Sequence, residues 1–339
     1  MLSIVVVSRN DNHGQNMLER MKLSIYTNIE IFEELGVDVE YIIVDYNTDK
    51  KEKLKDLFKF KNRKFVKIRF IEVPPSFHNQ FKDSAKLPVN NMVARNIGIK
   101  RAKEDFVLAT GIDVIFSKEL AKEMKNLKKG FIYRVNRYDV NRIIFECKFK
   151  DSNKILEFCE KNIIDVHFNT NKGKFLNTDF DTLHTNNCGD FQLLHKSHWE
   201  DLRGYPELDL MGTHLDTIFE YMAVIRGLKE NIIEEKLFHI DHDSRWLKPI
   251  YTHILRNWRI LFLKYGYEVM KFKADYYNLA KNISNYYNEK TFLETIDYKI
   301  LSDKEYKSYI LEMVKSKKPI IFNNKNWGVG EVEFEEFEF

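Results

Sequence analysis

Ala94-Arg95-Asn96-Ile97-Gly98-Ile99-Lys100-Arg101-Ala102, and shortly after it Phe106-Val107-Leu108-Ala109-Thr110-Gly111-Ile112-Asp113-Val114-Ile115-Phe116, is the stretch that decides the fold. It reads as an amphipathic helix running into a buried strand that delivers one carboxylate, Asp113, at its far end. In an open α/β sheet, ligands bind outside the carboxyl ends of the strands. An acid that closes an apolar run is therefore a site candidate. The blander reading is that Asp113 caps a turn.

Upstream, residues 2–7 form a short, β-branched, uncharged run, the mark of a strand buried on both faces. Apolar positions Leu18, Met21, Ile25, Ile29 and Phe32 follow helical spacing over 15–35, and Gly36 ends that helix. Residues 41–44 make a second buried strand that ends at Asp45. Asn47-Thr48-Asp49 is read as the cap of a Lys-rich helix reaching about residue 58. Residues 66–73 form a third strand, closed by Pro74-Pro75. With a helix over 89–102 and a strand over 106–110, the series is βαβαβαβ, which implies a mostly parallel sheet covered by helices.

Downstream, the pattern weakens over 130–174 to short alternating strands and one helix, at 152–161. Residues 178–187 read as a polar loop, 189–194 as a strand and 198–202 as a short helix. Thr213 opens a helix with an apolar face of Leu215, Ile218, Phe219 and Met222. Leu237-Phe238-His239-Ile240-Asp241-His242 is a strand ending in titratable groups. From about residue 248 the composition turns to Tyr/Lys/Asn-rich helices, and 331–339 alternates Glu with apolar residues, as an edge strand or a frayed end.

Bulk properties narrow the class. A chain of 339 residues that is 44% hydrophobic can bury a sizeable core, as one large α/β domain with an appendage or as two domains. A net charge of +3 argues against a dedicated nucleic-acid binder. Cys147, Cys159 and Cys188 have no CxxC spacing, which points to a reducing compartment. No signal-peptide pattern and no membrane-length apolar run are read, so a cytoplasmic protein is expected, with peripheral membrane contact left open. Neither GxGxxG nor GxxxxGK[ST] occurs, which speaks against a dinucleotide-dependent dehydrogenase and a P-loop NTPase.

The first-strand segment Leu2-Ser3-Ile4-Val5-Val6-Val7-Ser8-Arg9-Asn10, the 95–116 block and the 189–242 block together resemble a GT-A glycosyltransferase of the family 2 type, with a galactosyltransferase-type C-terminal half. The resemblance covers roughly residues 1–245. It implies a Rossmann-like α/β fold, a mostly parallel central sheet flanked by helices, with a C-terminal helical appendage. The expected division is a domain over 1–246, with a nucleotide-sugar half at 1–117 and an acceptor half at 118–246, followed by an extension at 247–339. It implies an inverting transferase of hexosyltransferase type that moves sugar from a UDP-linked donor to a glycan, lipid-linked or protein acceptor.

The resemblance also distributes roles. Asp45 would hydrogen-bond the nucleobase, and Ser8, Arg9 and Asn10 would line its pocket. Arg95 and Asn96 would lie near the donor diphosphate or its sugar; the structural reading is that Arg95 simply pairs with a surface acid. Asp113 would hold Mn²⁺ or Mg²⁺ on that diphosphate, a hard cation that neutralises the leaving group. The usual Asp-x-Asp here reads Gly111-Ile112-Asp113, which lacks the first acid. His242, at the strand exit, is the preferred second ligand, and imidazole suits Mn²⁺ better than Mg²⁺. His239 is the weaker candidate, because i and i+3 on a strand point to opposite faces unless the chain turns between them.

An inverting transfer needs a carboxylate to take the proton of a sugar hydroxyl. Asp216 occupies that place and Asp190 is the second choice. Thr213-x-x-Asp216 also spells a capping box, in which the carboxylate merely serves a helix terminus. Two other readings remain: a sugar nucleotidyltransferase, which Ser8-Arg9-Asn10-Asp11-Asn12-His13-Gly14 suits poorly, and an inactive nucleotide-sugar or glycan-binding module, which the missing acid keeps open.

Overall fold

The computed structural model describes residues 1–82, 84–147, 151–168, 179–210, 212, 214–242 and 301–339. The expected helices over 248–300 and the cap at Thr213 lie outside these residues.

Four strands form the first half of one sheet: β1 (Leu2–Ser8), β2 (Val39–Tyr46), β3 (Val66–Val73) and β4 (Phe106–Thr110). They pair in parallel in the order β3-β2-β1-β4, which sets Ser8 beside Asp45 and Asp45 beside Glu72 on the carboxyl rim. Side chains of β1 alternate between two cores. Leu2, Ile4 and Val6 pack under α1 (Met17–Leu35), and Val5 packs under α4 (Asn91–Arg101). At Gly98 the helix comes so close that a Cβ would lie 2.4 Å from Val5 Cγ1. Any larger residue would force helix and sheet apart.

One early expectation changes. The Lys-rich helix at 47–58 shrinks to the single turn α2 (Leu54–Leu57), because Asp45 reaches out and accepts the Leu54 amide at 2.7 Å. The strand expected over 106–110 is β4 as read, but the apolar run after it does not continue it: β5 (Val114–Phe116) belongs elsewhere in the sheet. Helix α1 satisfies the broken stretch: Ser24 donates to the Ile112 carbonyl, and Asn28 bonds both the Val114 carbonyl and the Phe116 amide. Buried backbone groups must find partners, and here side chains of a helix supply them. Asp113 sits in the resulting turn.

A short α3 (Pro75–His78) follows β3, and the second half is built on α5 (Lys118–Glu123), β6 (Phe131–Val140), α6 (Ser152–Lys161), β7 (Ile163–His167), β8 (Phe191–His195), α7 (Lys196–Leu202), α8 (Leu215–Ile225) and β9 (Lys229–Ile240). The sheet continues β4-β8-β6-β9-β5, with β7 beside β6. Parallel pairing, expected through most of the sheet, holds over the first four strands and between β6 and β9; the remaining neighbours run antiparallel. The result is a mixed α/β sheet flanked by helices, in line with the GT-A architecture that the sequence resemblance implies.

Residues 301–339 pack onto this body. Helix α9 (Asp303–Ser316) packs against α8 and places Ile310 and Met313 in the core on that side of the sheet. The tail ends in β10 (Glu335–Glu338), antiparallel to β3, so the alternating Glu/apolar pattern is an edge strand. Trp327, 2% exposed, anchors the tail. Arg101 ties it with bonds to the carbonyls of Gly328, Val329 and Val332.

Candidate active site

Asp113, His239 and His242 meet at the rim. Their ligand atoms lie within 4.8 Å of one another. His242 Nε2 is 3.2 Å from Asp113 Oδ2, and His239 Nε2 is 3.6 Å from Asp113 Oδ1. The objection from strand periodicity is resolved by where β9 stops. His239 is still in the strand, but the chain leaves it after Ile240, and His242 swings back until the two rings are 5.2 Å apart. The Ile240 amide donates to the Asp113 carbonyl at 3.0 Å, which fixes the turn against the strand exit.

A second layer holds this cluster. His239 Nδ1 is 3.0 Å from Asp139 Oδ1, and Asp139 also pairs with Arg137 and His167. Arg137 in turn reaches Asp190 Oδ2 at 2.6 Å. On the other side, Arg20 of α1 bonds Asp113 Oδ2 and donates to the His13 carbonyl at 2.6 Å. Burial opposes ionisation of Asp113, but His239, His242 and Arg20 outweigh it and hold the carboxyl well below the usual range. Asp139 and Asp190 are held low in the same way, chiefly by Arg137 working against burial. For His239, burial and Arg137 favour the neutral ring, yet Asp113 and Asp139 prevail and its pKa is raised.

These atoms suit a divalent ion. One anionic oxygen and two imidazole nitrogens converge, and the outer nitrogen of His239 is engaged by a carboxylate, the usual way a ligating histidine is oriented. Among the described residues a second group, Asp139, Asp165 and His167, also has ligand spacing, but Arg137 already neutralises Asp139.

The other candidate residues divide. Asp190 and Asp216 flank the same turn of chain. A Cβ on Gly189 would lie 2.8 Å from Asp216 Oδ2 and 3.7 Å from the Arg95 guanidinium, and Arg95 donates to the Gly189 carbonyl at 2.5 Å. A Cβ on Gly111 would lie 3.1 Å from Asp113 Oδ1 and 3.6 Å from Asp190 Oδ1. The 189–190 turn thus has Asp216 and Arg95 on one side and Asp113 on the other. Asp216 opens α8, and its Oδ1 accepts the Thr217 amide at 2.8 Å.

Arg9, Asn10 and Asp45 gather instead around segment 47–54. Asp45 takes the Thr48 hydroxyl on Oδ1, the Asn10 amide donates to Thr48 at 3.0 Å, and Arg9 pairs with Asp49 at 3.3 Å. Ser8 is turned inward, toward Met17. A cleft of about 470 Å³ opens beside Asp45, lined among others by Thr48, Lys53, Glu72, Phe77 and the tail residue Phe334.

Asn96 departs from its expected place near a diphosphate. It is fully buried, donates to the Tyr205 carbonyl and to Glu207, and accepts the Tyr205 amide at 2.9 Å. All of its side-chain polar atoms are spent in the fold. The Asn326-Trp327-Gly328 turn, unexplained in the sequence, docks here: the Gly328 amide bonds Glu207 at 2.7 Å, and a Cβ on Gly328 would strike the Asn96 carbonyl at 2.5 Å.

Residues not anticipated are Arg20, Arg137, Asp139 and His167. One signal pointed to the first: Arg20, Ser24 and Asn28 recur every four residues on a face of α1 that is otherwise apolar. A polar stripe within a buried face needs partners, and here it cradles the Asp113 turn.

No protein-family model matches the chain, and no curated protein matches it in sequence. Solved structures do match in shape. The crystal structure of S. aureus TarS 1–349 is 13% identical with a TM-score of 0.42, over 70% of this chain and 60% of that one. GalNAc-T7 with UDP, GalNAc and Mn²⁺ is 15% identical with a TM-score of 0.47, over 94% of this chain and 58% of that one. The chain therefore spans less than two thirds of the length of either structure. Among the described residues no helix is long and apolar enough to cross a membrane.

Proposed function

We propose that the protein is a GT-A-type glycosyltransferase, inverting and metal-dependent, that transfers a hexose from a UDP-linked donor to a hydroxyl on a glycan, lipid-linked or protein acceptor. The observation that carries this reading is the convergence of Asp113, His239 and His242, with Asp190 and Asp216 on an adjoining turn, at the carboxyl rim of an α/β sheet. When bound, Mn²⁺ or Mg²⁺ supplies charge neutralisation for the departing diphosphate.

The chain's own residues do the rest. Asp113, His239 and His242 hold the ion. Arg20 keeps the Asp113 carboxylate oriented, and Arg95, anchored on the Gly189 carbonyl, offers its remaining guanidinium edge to an anionic donor. Asp216 takes the proton from the acceptor hydroxyl, and Asp190, held by Arg137, grips a sugar hydroxyl. The nucleoside lies toward the cleft beside Asp45, whose volume falls within the range of small-molecule pockets. The division into a nucleotide-sugar half at 1–117 and an acceptor half at 118–246 follows the same reading, as does an extension beginning at 247.

The missing first acid of the Asp-x-Asp pattern does not count heavily against catalysis. Asp190 reaches the space beside Gly111 from across the turn, so an acidic side chain at 111 would crowd Asp113 and Asp190 alike. The test is nucleoside diphosphate release from a panel of nucleotide-sugars, with and without Mn²⁺ and with simple glycan acceptors. Metal-dependent release that acceptor stimulates supports the reading; donor binding without release makes the chain a binding module.

A further inference from the structure

We propose that Arg134, with Glu220 and Gln192, is a buried positioning unit that sets the Gly189-Asp190 turn against Asp216; the proposal rests on the transferase reading above. All three are buried. Arg134 and Glu220 have side chains only 1% and 0% exposed.

Arg134 gathers one loop onto itself. Its Nε donates to the His184 carbonyl at 3.1 Å, Nη1 to Cys188 at 2.9 Å and to Phe191, and Nη2 to Asn186 at 3.2 Å. Four carbonyls from residues 184–191 thus share one guanidinium. That segment bends through Asn187 at φ +49° and has little ladder of its own before β8 begins. A planar fork of five donors can collect carbonyls in this way, whereas an ammonium, a point charge, cannot.

Glu220 supplies the counter-charge, with Oε2 3.3 Å from Arg134 Nε. It lies one helical turn after Asp216, on the same face of α8. Gln192 closes the unit: its Nε2 donates to Glu220 Oε2 at 2.9 Å and to the Asp216 carbonyl at 3.1 Å. The loop bearing Asp190 and the helix turn bearing Asp216 are therefore tied to the same buried pair. Tolerance between them is small. Gly189 has no room for a Cβ beside Asp216, and the Arg137–Asp190 contact at 2.6 Å constrains the other flank. A buried ion pair adds little stability over a well-packed apolar replacement, so its contribution here is geometric.

The experiment compares full-length wild type with Arg134→Lys, which keeps the charge facing Glu220 but loses the fork, and with Gln192→Met, which keeps volume and removes the donor. Transfer kinetics and hydrogen exchange are read on folded protein. Misplacing reacting groups by about an ångström costs on the order of 10²-fold in rate. The expected result is a kcat loss of that order in Arg134→Lys, a smaller one in Gln192→Met, and donor KM unchanged. Amides of 184–191 should exchange faster while those of β1–β4 keep their protection. Wild-type kcat and protection in folded Arg134→Lys would overturn the proposal, and so would a lowered Tm with unaltered kcat. If Arg134→Lys does not fold, Gln192→Met decides by the same criteria. Absence of transfer by wild type on every donor is a failure of the functional reading. The exchange pattern, which needs no turnover, then still decides whether Arg134 orders the segment.

Discussion

His239 faces Asp139 with Nδ1 and Asp113 with Nε2, at 3.0 and 3.6 Å. With an ion on Nε2, the carboxylate of Asp139 would accept from Nδ1–H and so hold the ring in the tautomer a metal ligand needs. Asp139→Asn keeps the size of the side chain but lets the ring choose either tautomer. Mn²⁺ affinity, followed by calorimetry or by the EPR signal of the free ion, should fall about 10- to 100-fold. Unchanged affinity would separate His239 from the metal.

Asp216 and Asp190 are expected to fail differently. Asp216→Asn removes the proposed base, so kcat should drop by about 10² to 10⁴ while donor KM holds. Asp190→Asn leaves Arg137 without one of its two carboxylates and should raise KM for the sugar-bearing substrate more than it lowers kcat. Initial rates over a matrix of donor and acceptor concentrations distinguish the two. Equal kcat losses at both positions would mean that the base has been misassigned.

The parallel half of the sheet was legible because its strands are buried on both faces and read as uncharged runs such as Ile4-Val5-Val6-Val7. In the second half the helices α6, α7 and α8 and the strand β8 were legible too, but the pairing of β6 with β9 was not. Strands β6 and β9 carry Arg134, Arg137, Asp139, Glu230 and Glu234, an alternation that resembles a solvent face. Several of these point into the protein because β6 and β9 lie side by side in parallel, with Asp139 in register with His239. That pairing joins residues a hundred positions apart, and no local pattern announces it. For the same reason His239 and His242 were visible as candidates while the network that orients them was not. Asn96 misled in the opposite direction: it sits on the helix expected to face the donor, but its partners Tyr205 and Glu207 come from a distant loop.

The C-terminal tail is part of the α/β body's stability. Trp327 fills the space between α4 and the Gly204-Tyr205 loop, where a Cβ on Gly204 would come within 2.6 Å of its ring. Trp327→Ala would leave a large cavity and should cost about 3–5 kcal/mol, read as a lower denaturant midpoint. Deleting residues 320–339 should be at least as damaging, since it also strips β10 from β3 and leaves Arg101 without its three carbonyls. A truncated chain with wild-type stability would make the tail an ornament.

One half-buried acid should lower stability as the medium becomes less acidic. Burial first, and the neighbouring Glu220 second, push Glu230 up to about 7. Unfolded, a glutamate releases its proton near pH 4.5. Between these values the folded chain holds a proton that the unfolded chain has lost, so rising pH favours unfolding. The contribution is fully present below pH 4.5 and is lost as pH climbs through 7. Glu230→Gln, which is always neutral and still accepts the His184 amide, should not lose it. The variant's stability relative to wild type should grow by about 1–2 kcal/mol from pH 4.5 to 7.5, allowing for partial exposure of the site. Urea titrations of both proteins at the two pH values read this difference. Parallel curves would show that Glu230 ionises normally in the folded protein.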